Sequence, residues 1–426
     1  MVLHWSVSER TMNAVTEYFE TRKNKTVYSP TPDPADQTWD SAVIIKILLP
    51  FFGRGLFMEE KWNAILYNKN RKVLQVHLES NGSVTELGDL YDPAALPLIL
   101  QHKLDLETIN KWLTKRRMPA KREGLEQVKQ LYGSFENQRN LFALTDQYWF
   151  KRSQKDSWEK LNFFTNSYES YVGEALFMPW TGDRKKLQKP TPDITTNGVL
   201  RKIWIQADDK TSYLIKAGSE TFLQEPLSEV LAALILRQMD IIPFVEYDLC
   251  IYGYRICSKC KNFVTSNTEF IPAQSLYAKR PRLSTDTKYD HLIKMCDYYG
   301  IKDANTYLDR MILADLIIGN QDRHLGNFGI LRNVETGSFI GFAPLFDFGC
   351  AFYEYSGKTP SRERIVFADQ EQRVQKAYQS LMAERIPKDL KPILQLIDTY
   401  PSLTVKQKNA VKKGIIERFK RFLHFE

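Results

Sequence analysis

The chain has 426 residues, 43% hydrophobic, 26% charged and 12% aromatic, which excludes a mostly disordered or fibrous polypeptide and leaves room for two to three domains. Lys and Arg number 59 against 51 Asp and Glu, a net charge of +8 concentrated locally: residues 401–426 hold seven basic and two acidic side chains. Such a stretch reads as a solvated helix face or as the neighbour of an anionic partner.

The first residues, Met1-Val2-Leu3-His4-Trp5-Ser6, lack the charged and apolar regions of a secretory signal. The apolar run Ala42 to Met58 is broken by Lys46, Pro50 and Arg54, so no membrane span is expected. Five cysteines, an odd and sparse set, fit a reducing, cytoplasmic setting, and Cys257-x-x-Cys260 has no second pair at zinc spacing, so no metal is assigned to sulfur.

In chain order, Ser29 to Pro34 forms an extended break after an N-terminal helical stretch. Trp62 to His77 alternates as strands do, and Leu104 to Arg117 reads as a helix ending in a basic cluster. A second break lies at Lys189 to Asp193. Beyond it, Lys202 to Ile205 and Ser212 to Lys216 predict a hairpin turning at Asp208-Asp209-Lys210. Pro226 opens a helix that Asp240 to Pro243 closes, and Val245 to Cys257 predicts a second strand pair turning at Tyr252-Gly253. Leu308, Met311, Ile312, Asp315 and Leu316 mark a strong helix ending at Gly319-Asn320. The order predicts an α+β, bilobal fold with a strand-rich N-lobe holding one helix and a helical C-lobe, preceded by a mixed α/β front module. The corresponding boundaries are 1–60 for an N-terminal extension, 61–190 for the front module, 191–265 for the N-lobe and 266–426 for the C-lobe.

The richest stretch is Ile317 to Gly349. Asp322-Arg323-His324 and Asn327 follow the strong helix, and two strands about a turn at residues 335–337 return the chain to Asp347-Phe348-Gly349. A hairpin folded there brings Asn327 and Asp347 together, an amide and a carboxylate of the kind Mg²⁺ uses with phosphates. Asp322 precedes Asn327 by the separation found in the catalytic loop of protein kinases. Arg323 and His324 read as braces of that loop. Upstream, Lys216 ends a hairpin strand and Glu229 lies in the next helix, where the two could pair; each alone reads more readily as a solvated side chain, and Glu225 competes as partner. Asn197-Gly198 is a turn signal that could cover phosphates.

These segments, with Asp193 to Gly198, Tyr213 to Lys216, Glu225 to Val230 and Asn262-Phe263-Val264, resemble the HipA-like serine/threonine kinases of bacteria. Leu144 to Phe150 and Asn162-Phe163-Phe164 resemble the front module of that family. The resemblance implies a bilobal protein-kinase-like fold, ATP and Mg²⁺ as cofactors, Asp322 as the hydroxyl-orienting base in a catalytic loop with Arg323 and His324, and Asn327 and Asp347 on the metal. It implies Lys216 on the ATP phosphates, Glu229 behind it, Gly198 in the phosphate loop, and Phe263 and Val264 at the adenine hinge. It also implies a protein acceptor, an antitoxin-type partner and autophosphorylation in the glycine loop, where Thr195 and Thr196 stand; here Arg201-Lys202 replaces the family's Pro-Lys. The Asp-Arg-His motif is shared with phosphoinositide kinases, so a lipid kinase is the alternative, with Lys279 to Arg282 as a basic surface. A nucleic-acid-binding regulator is a third reading, resting on Trp112 to Arg122; direct nucleic-acid binding is not expected, because Glu123 and Glu126 dilute that patch.

Overall fold

The computed structural model describes residues 62–79, 81–132, 140–178, 190–220, 223–352 and 365–423. The helical stretch before Ser29, the break to Pro34 and the apolar run 42–58 lie outside them. The chain divides into two compact units, Met1–Trp62 and Asn63–Glu426, and the architecture below is that of the second.

The front module is built on a four-stranded sheet of order β3-β2-β1-β4, with β1 Trp62–Asn68, β2 Arg71–Leu78, β3 Val84–Leu90 and β4 Tyr148–Lys151. The alternation in β1 buries Ala64, Leu66 and Asn68 on one face, as a period of two demands. Helix α1 (Leu106–Lys115) packs beside β3, whereas α2 (Leu125–Tyr132) and α3 (Tyr171–Phe177) share an apolar cluster with Ile203 and Ile215 of the second sheet. Asp105 caps α1 by accepting from Thr108 N–H at 2.8 Å.

The second sheet runs β5-β6-β8-β7, all antiparallel, from β5 Lys202–Gln206, β6 Ser212–Ala217, β7 Tyr247–Tyr252 and β8 Arg255–Lys261. Helix α4 (Glu225–Met239) follows the first hairpin, with Pro226 in its first turn and Asp240, at φ 47°, closing it in the left-handed conformation. It is buried over most of its circumference, Glu229 included, because the sheet covers one side and the C-lobe the other.

The C-lobe holds α5 (Lys288–Tyr298), α6 (Ala304–Ile318), α7 (Lys391–Thr399), α8 (Val405–Leu423) and a small sheet of order β11-β10-β9, with β9 Thr268–Pro272, β10 Gly329–Asn333 and β11 Phe339–Phe342. Residues from α4 through α8 share one apolar core. Gly329 lies so close to β9 that a Cβ there would run into Ile271 O. The β10–β11 ladder pairs Ile330 with Phe342, and one further bond, Ala343 N–H to Gly329 O at 2.9 Å, closes it. The chain then leaves the hairpin, Leu345 pairing instead beside Phe244.

Candidate active site

The strands and α4 bring three charged groups together beneath the N-lobe. Lys216 Nζ bonds Glu229 Oε1 and reaches Asp347 Oδ1 at 3.1 Å. The far oxygen of Glu229, Oε2, accepts from Ser258 Oγ. The competing Glu225 is occupied elsewhere, accepting from Ser219 N–H at 3.1 Å. Burial opposes the charge on Lys216, but Asp347 and Glu229 outweigh it and hold the ammonium well above its ordinary range. Lys216 in turn holds the Asp347 carboxyl well below the ordinary carboxylate range, against burial. Burial pushes the Glu229 carboxyl up, with Lys216 opposing.

Across the cleft, α6 ends at Gly319, whose φ of 64° suits the left-handed stop that glycine permits. The following loop is organised by Arg323, 1% exposed. Its Nε and Nη2 donate to the two oxygens of Asp315 at 2.8 and 3.0 Å, a bidentate buried pair. Its Nη1 donates to Asn327 O at 2.6 Å and Phe346 O at 2.8 Å. This guanidinium, not continuation of the β-ladder, ties the Asn327 segment to the residue before Asp347. Asn327 Nδ2 donates to Asp322 O at 3.0 Å, which leaves its amide oxygen available to a cation. His324 is exposed, and its Nδ1 accepts from Gly326 N–H at 3.0 Å. Arg323 therefore braces the loop from below, while His324 folds back on it. Asp347 itself has φ 62°, with its N–H donating to Tyr247 Oη at 3.2 Å.

Asp322, Asn327, Asp347 and Lys216 line one cavity of about 2090 Å³. Gly198, at φ 98°, stands over its edge beside Lys202, whose Nζ donates to Asn197 O at 3.0 Å. Lys202, directly across the ladder from Lys216, was not singled out by the sequence as a cavity residue; the register alone reveals it. Desolvation, and then the Lys216 ammonium, push the Lys202 amine down to about 8. Thr195 is buried, its hydroxyl donating to Phe142 O at 2.7 Å, and Thr196 Oγ1 donates to Pro192 O and accepts from Trp204 Nε1, both at 2.8 Å.

The other end of the cavity is walled by Phe263 and Val264, whose N–H donates to the Asn262 side chain at 3.1 Å. Here the front module takes part in a way sequence reasoning missed. Asn262 Nδ2 donates to Leu144 O at 3.0 Å, Phe270 N–H donates to Thr145 O at 2.9 Å, and Leu144 and Thr145 also line the cavity.

The basic cluster after α1 is largely consumed internally. Arg116 bonds Asp146 and the carbonyls of Leu141 and Tyr148, and Arg117 donates to Asn81 O and Gly82 O. In the Lys279 to Arg282 cluster, Lys279 and Arg280 lie over the Tyr298 ring and Arg282 donates to Asp286 O. Among the described residues no helix is long and apolar enough to cross a membrane. Cys250, Cys257, Cys260, Cys296 and Cys350 form no disulfide, and Cys257 and Cys260, three apart on β8, point to opposite faces.

No family model matches the chain. In sequence it is 29% identical over 108 residues to the serine/threonine-protein kinase CtkA of Helicobacter pylori strain J99; the match spans 24% of this chain and 33% of that relative. Among solved structures it is similar to the HipA chain of a Shewanella oneidensis MR-1 toxin–antitoxin complex of HipA, HipB and operator DNA, with TM-score 0.53 and 14% identity over 85% of this chain and 98% of that one. The fold is that of HipA. The crystal structure of the H. pylori proinflammatory kinase CtkA matches at TM-score 0.40 and 20% identity over 52% of this chain and 92% of that one. The HipA fold accounts for the bilobal order expected from the sequence, with strands and one helix ahead of a helical lobe.

Proposed function

We propose that the chain transfers the γ-phosphoryl group of ATP to a serine or threonine of a protein. The observation that carries this is the placement of Lys216, paired to Glu229 and Asp347, on the same cavity as Asp322 and Asn327. Lys216 would hold the phosphates nearest the base, kept extended and protonated by its two carboxylates. Asp322 would orient the acceptor hydroxyl and take its proton as the oxygen attacks the γ-phosphorus and the bond to the β–γ bridging oxygen breaks, releasing ADP. Gly198 and its neighbours would cover the phosphates while Phe263 and Val264 border the adenine. The donor set is one carboxylate, Asp347, and one amide oxygen, Asn327, both hard oxygen ligands that suit Mg²⁺ shared with phosphates. When bound there, Mg²⁺ would supply charge neutralisation on the phosphate oxygens.

Transfer to Thr195 or Thr196 belongs to this reading as a slower, self-directed event, since both hydroxyls must first leave their present partners. The HipA structure holds HipB as well, and an antitoxin-type partner for this chain is part of the same proposal. Calorimetric titration with ATP tests the site: Mg²⁺ should tighten ATP binding to the native protein and should fail to do so in Asp347→Ala. Equal tightening in both would remove Asp347 from the metal site.

A further inference from the structure

The loop over the cleft does not stand free. The front-module segment following α1 runs alongside it, with Met118 N–H donating to Ile194 O at 2.7 Å and Glu123 N–H donating to Val199 O at 2.8 Å. Between these two contacts Arg122, only 3% exposed, places its guanidinium beneath the loop. Its Nη1 donates to Leu200 O at 2.5 Å, and its Nη2 donates to Thr196 O. The two acceptors flank Asn197-Gly198-Val199, which line the cavity together with Lys202 and Lys216. One planar fork thus bridges both shoulders of the loop, a geometry that a single ammonium cannot reproduce.

This has a consequence for an anionic ligand. A short loop containing a glycine at φ 98° has many alternatives to any one shape, and ordering it on binding would cost affinity. Carbonyl oxygens turned into the cleft would also repel phosphate. Bonding the shoulder carbonyls to a buried cation engages them beneath the loop and sets the loop's shape before ligand arrives. The charge beneath the loop is itself supported. Burial pushes the Arg122 guanidinium down to about 10, Asp193 opposes that, and the group remains protonated near neutral pH. Asp193 is held in turn by Gly173 N–H, Trp204 N–H and Thr191 Oγ1, all at 2.9 to 3.0 Å.

We infer that Arg122 is a positioning residue for nucleotide phosphates: the front module clamps the loop, so part of the affinity for a polyphosphate resides outside the two kinase lobes. This rests on the reading of the cavity as an ATP site. The clamp acts on the phosphate end alone, because Phe263 and Val264 border the cavity from a different element. It therefore separates two ligands that share a base, ATP and adenosine.

The test is calorimetric titration of the full chain with Mg-ATP and, separately, adenosine, for native protein, Arg122→Met and Arg122→Lys, with melting curves of each free protein. Arg122→Met should weaken ATP about tenfold, the loss of charge-assisted hydrogen bonds, and leave adenosine within about twofold. Arg122→Lys, keeping the charge but reaching one carbonyl, should fall between. If Arg122→Met does not fold, the ATP-to-adenosine ratio of Arg122→Lys decides. Equal weakening of both ligands, or unchanged ATP binding, overturns the clamp. Absence of binding of either ligand to the native protein would overturn the ATP-site reading itself, and the clamp's role with it.

Discussion

Lys202 and Lys216 are cross-strand partners in the β5–β6 ladder, and both line the cavity, yet Glu229 and Asp347 form ion pairs with Lys216 and not with Lys202. Lys216 is fixed as a cation by Glu229 and Asp347, whereas the Lys202 amine is pushed down to about 8 by desolvation and by Lys216. A phosphate that needs the Lys202 charge should bind less tightly as pH rises through 8. ATP affinity measured between pH 6.5 and 9.5 should show this falling limb in native protein and lack it in Lys202→Met. Stability should run the other way. The pKa is about 8 folded against 10.5 for the free side chain, so Lys202 penalises the folded state below 8 and the penalty lifts progressively between 8 and 10.5.

Glu229 is 1% exposed and bonds both Lys216 and Ser258. Glu229→Ala leaves the buried ammonium with Asp347 alone, and stability should fall by about 3 kcal/mol, the scale for breaking a buried pair. Urea unfolding gives that number. Transfer activity should fall with it, because Lys216 would lose the partner that fixes its position beside the phosphates.

Arg323 makes four hydrogen bonds from a fully buried position, to Asp315, Asn327 O and Phe346 O. Arg323→Lys cannot serve a bidentate carboxylate and two carbonyls at once, so it should cost about 3 kcal/mol in urea unfolding. Its transfer rate should drop by at least about tenfold through misplacement of Asn327 and Asp347, since small displacements of positioned groups are expensive in catalysis. A rate equal to that of native protein would show that the loop holds its shape without the fork.

Thr195 and Thr196 differ in how firmly they are held. Thr195 is 8% exposed, with its hydroxyl donating to carbonyls of Phe142 and Pro192; Thr196 is half-buried. On incubation with Mg-ATP, mass spectrometry over a time course should find phosphate on Thr196 before Thr195.

Much of this architecture was legible because its signals are local. Asp208-Asp209-Lys210 between alternating strands, Pro226 at a helix start and Gly319 at a helix end each act within a few residues, and each stands where expected. Lys216, Glu229, Asp322, Asn327 and Asp347 were singled out from type and spacing, and the structure brings Lys216 against Glu229 and Asp347. What the sequence hid depends on distant backbone. No residue type announces that Phe270 N–H will find Thr145 O, or that Arg122 will serve Thr196 O and Leu200 O. Any carbonyl accepts, so such contacts leave no pattern in composition or period. Hairpin symmetry led to the expectation that Asn327 and Asp347 face one another, but β11 ends at Phe342, and it is Arg323 that joins the backbone of Asn327 to that of Phe346.

Phosphoryl transfer from Mg²⁺ and radiolabelled ATP to protein, measured for native chain beside Asp322→Asn with ATP affinity determined for both, is the most direct test. Kinase chemistry requires label with the native chain, loss of label in Asp322→Asn, and ATP affinity that stays within about twofold, because Asp322 acts on the acceptor hydroxyl rather than on the nucleotide. Equal labelling by the two proteins would remove Asp322 from the reaction, and native protein that neither binds ATP nor transfers phosphate would contradict the kinase reading.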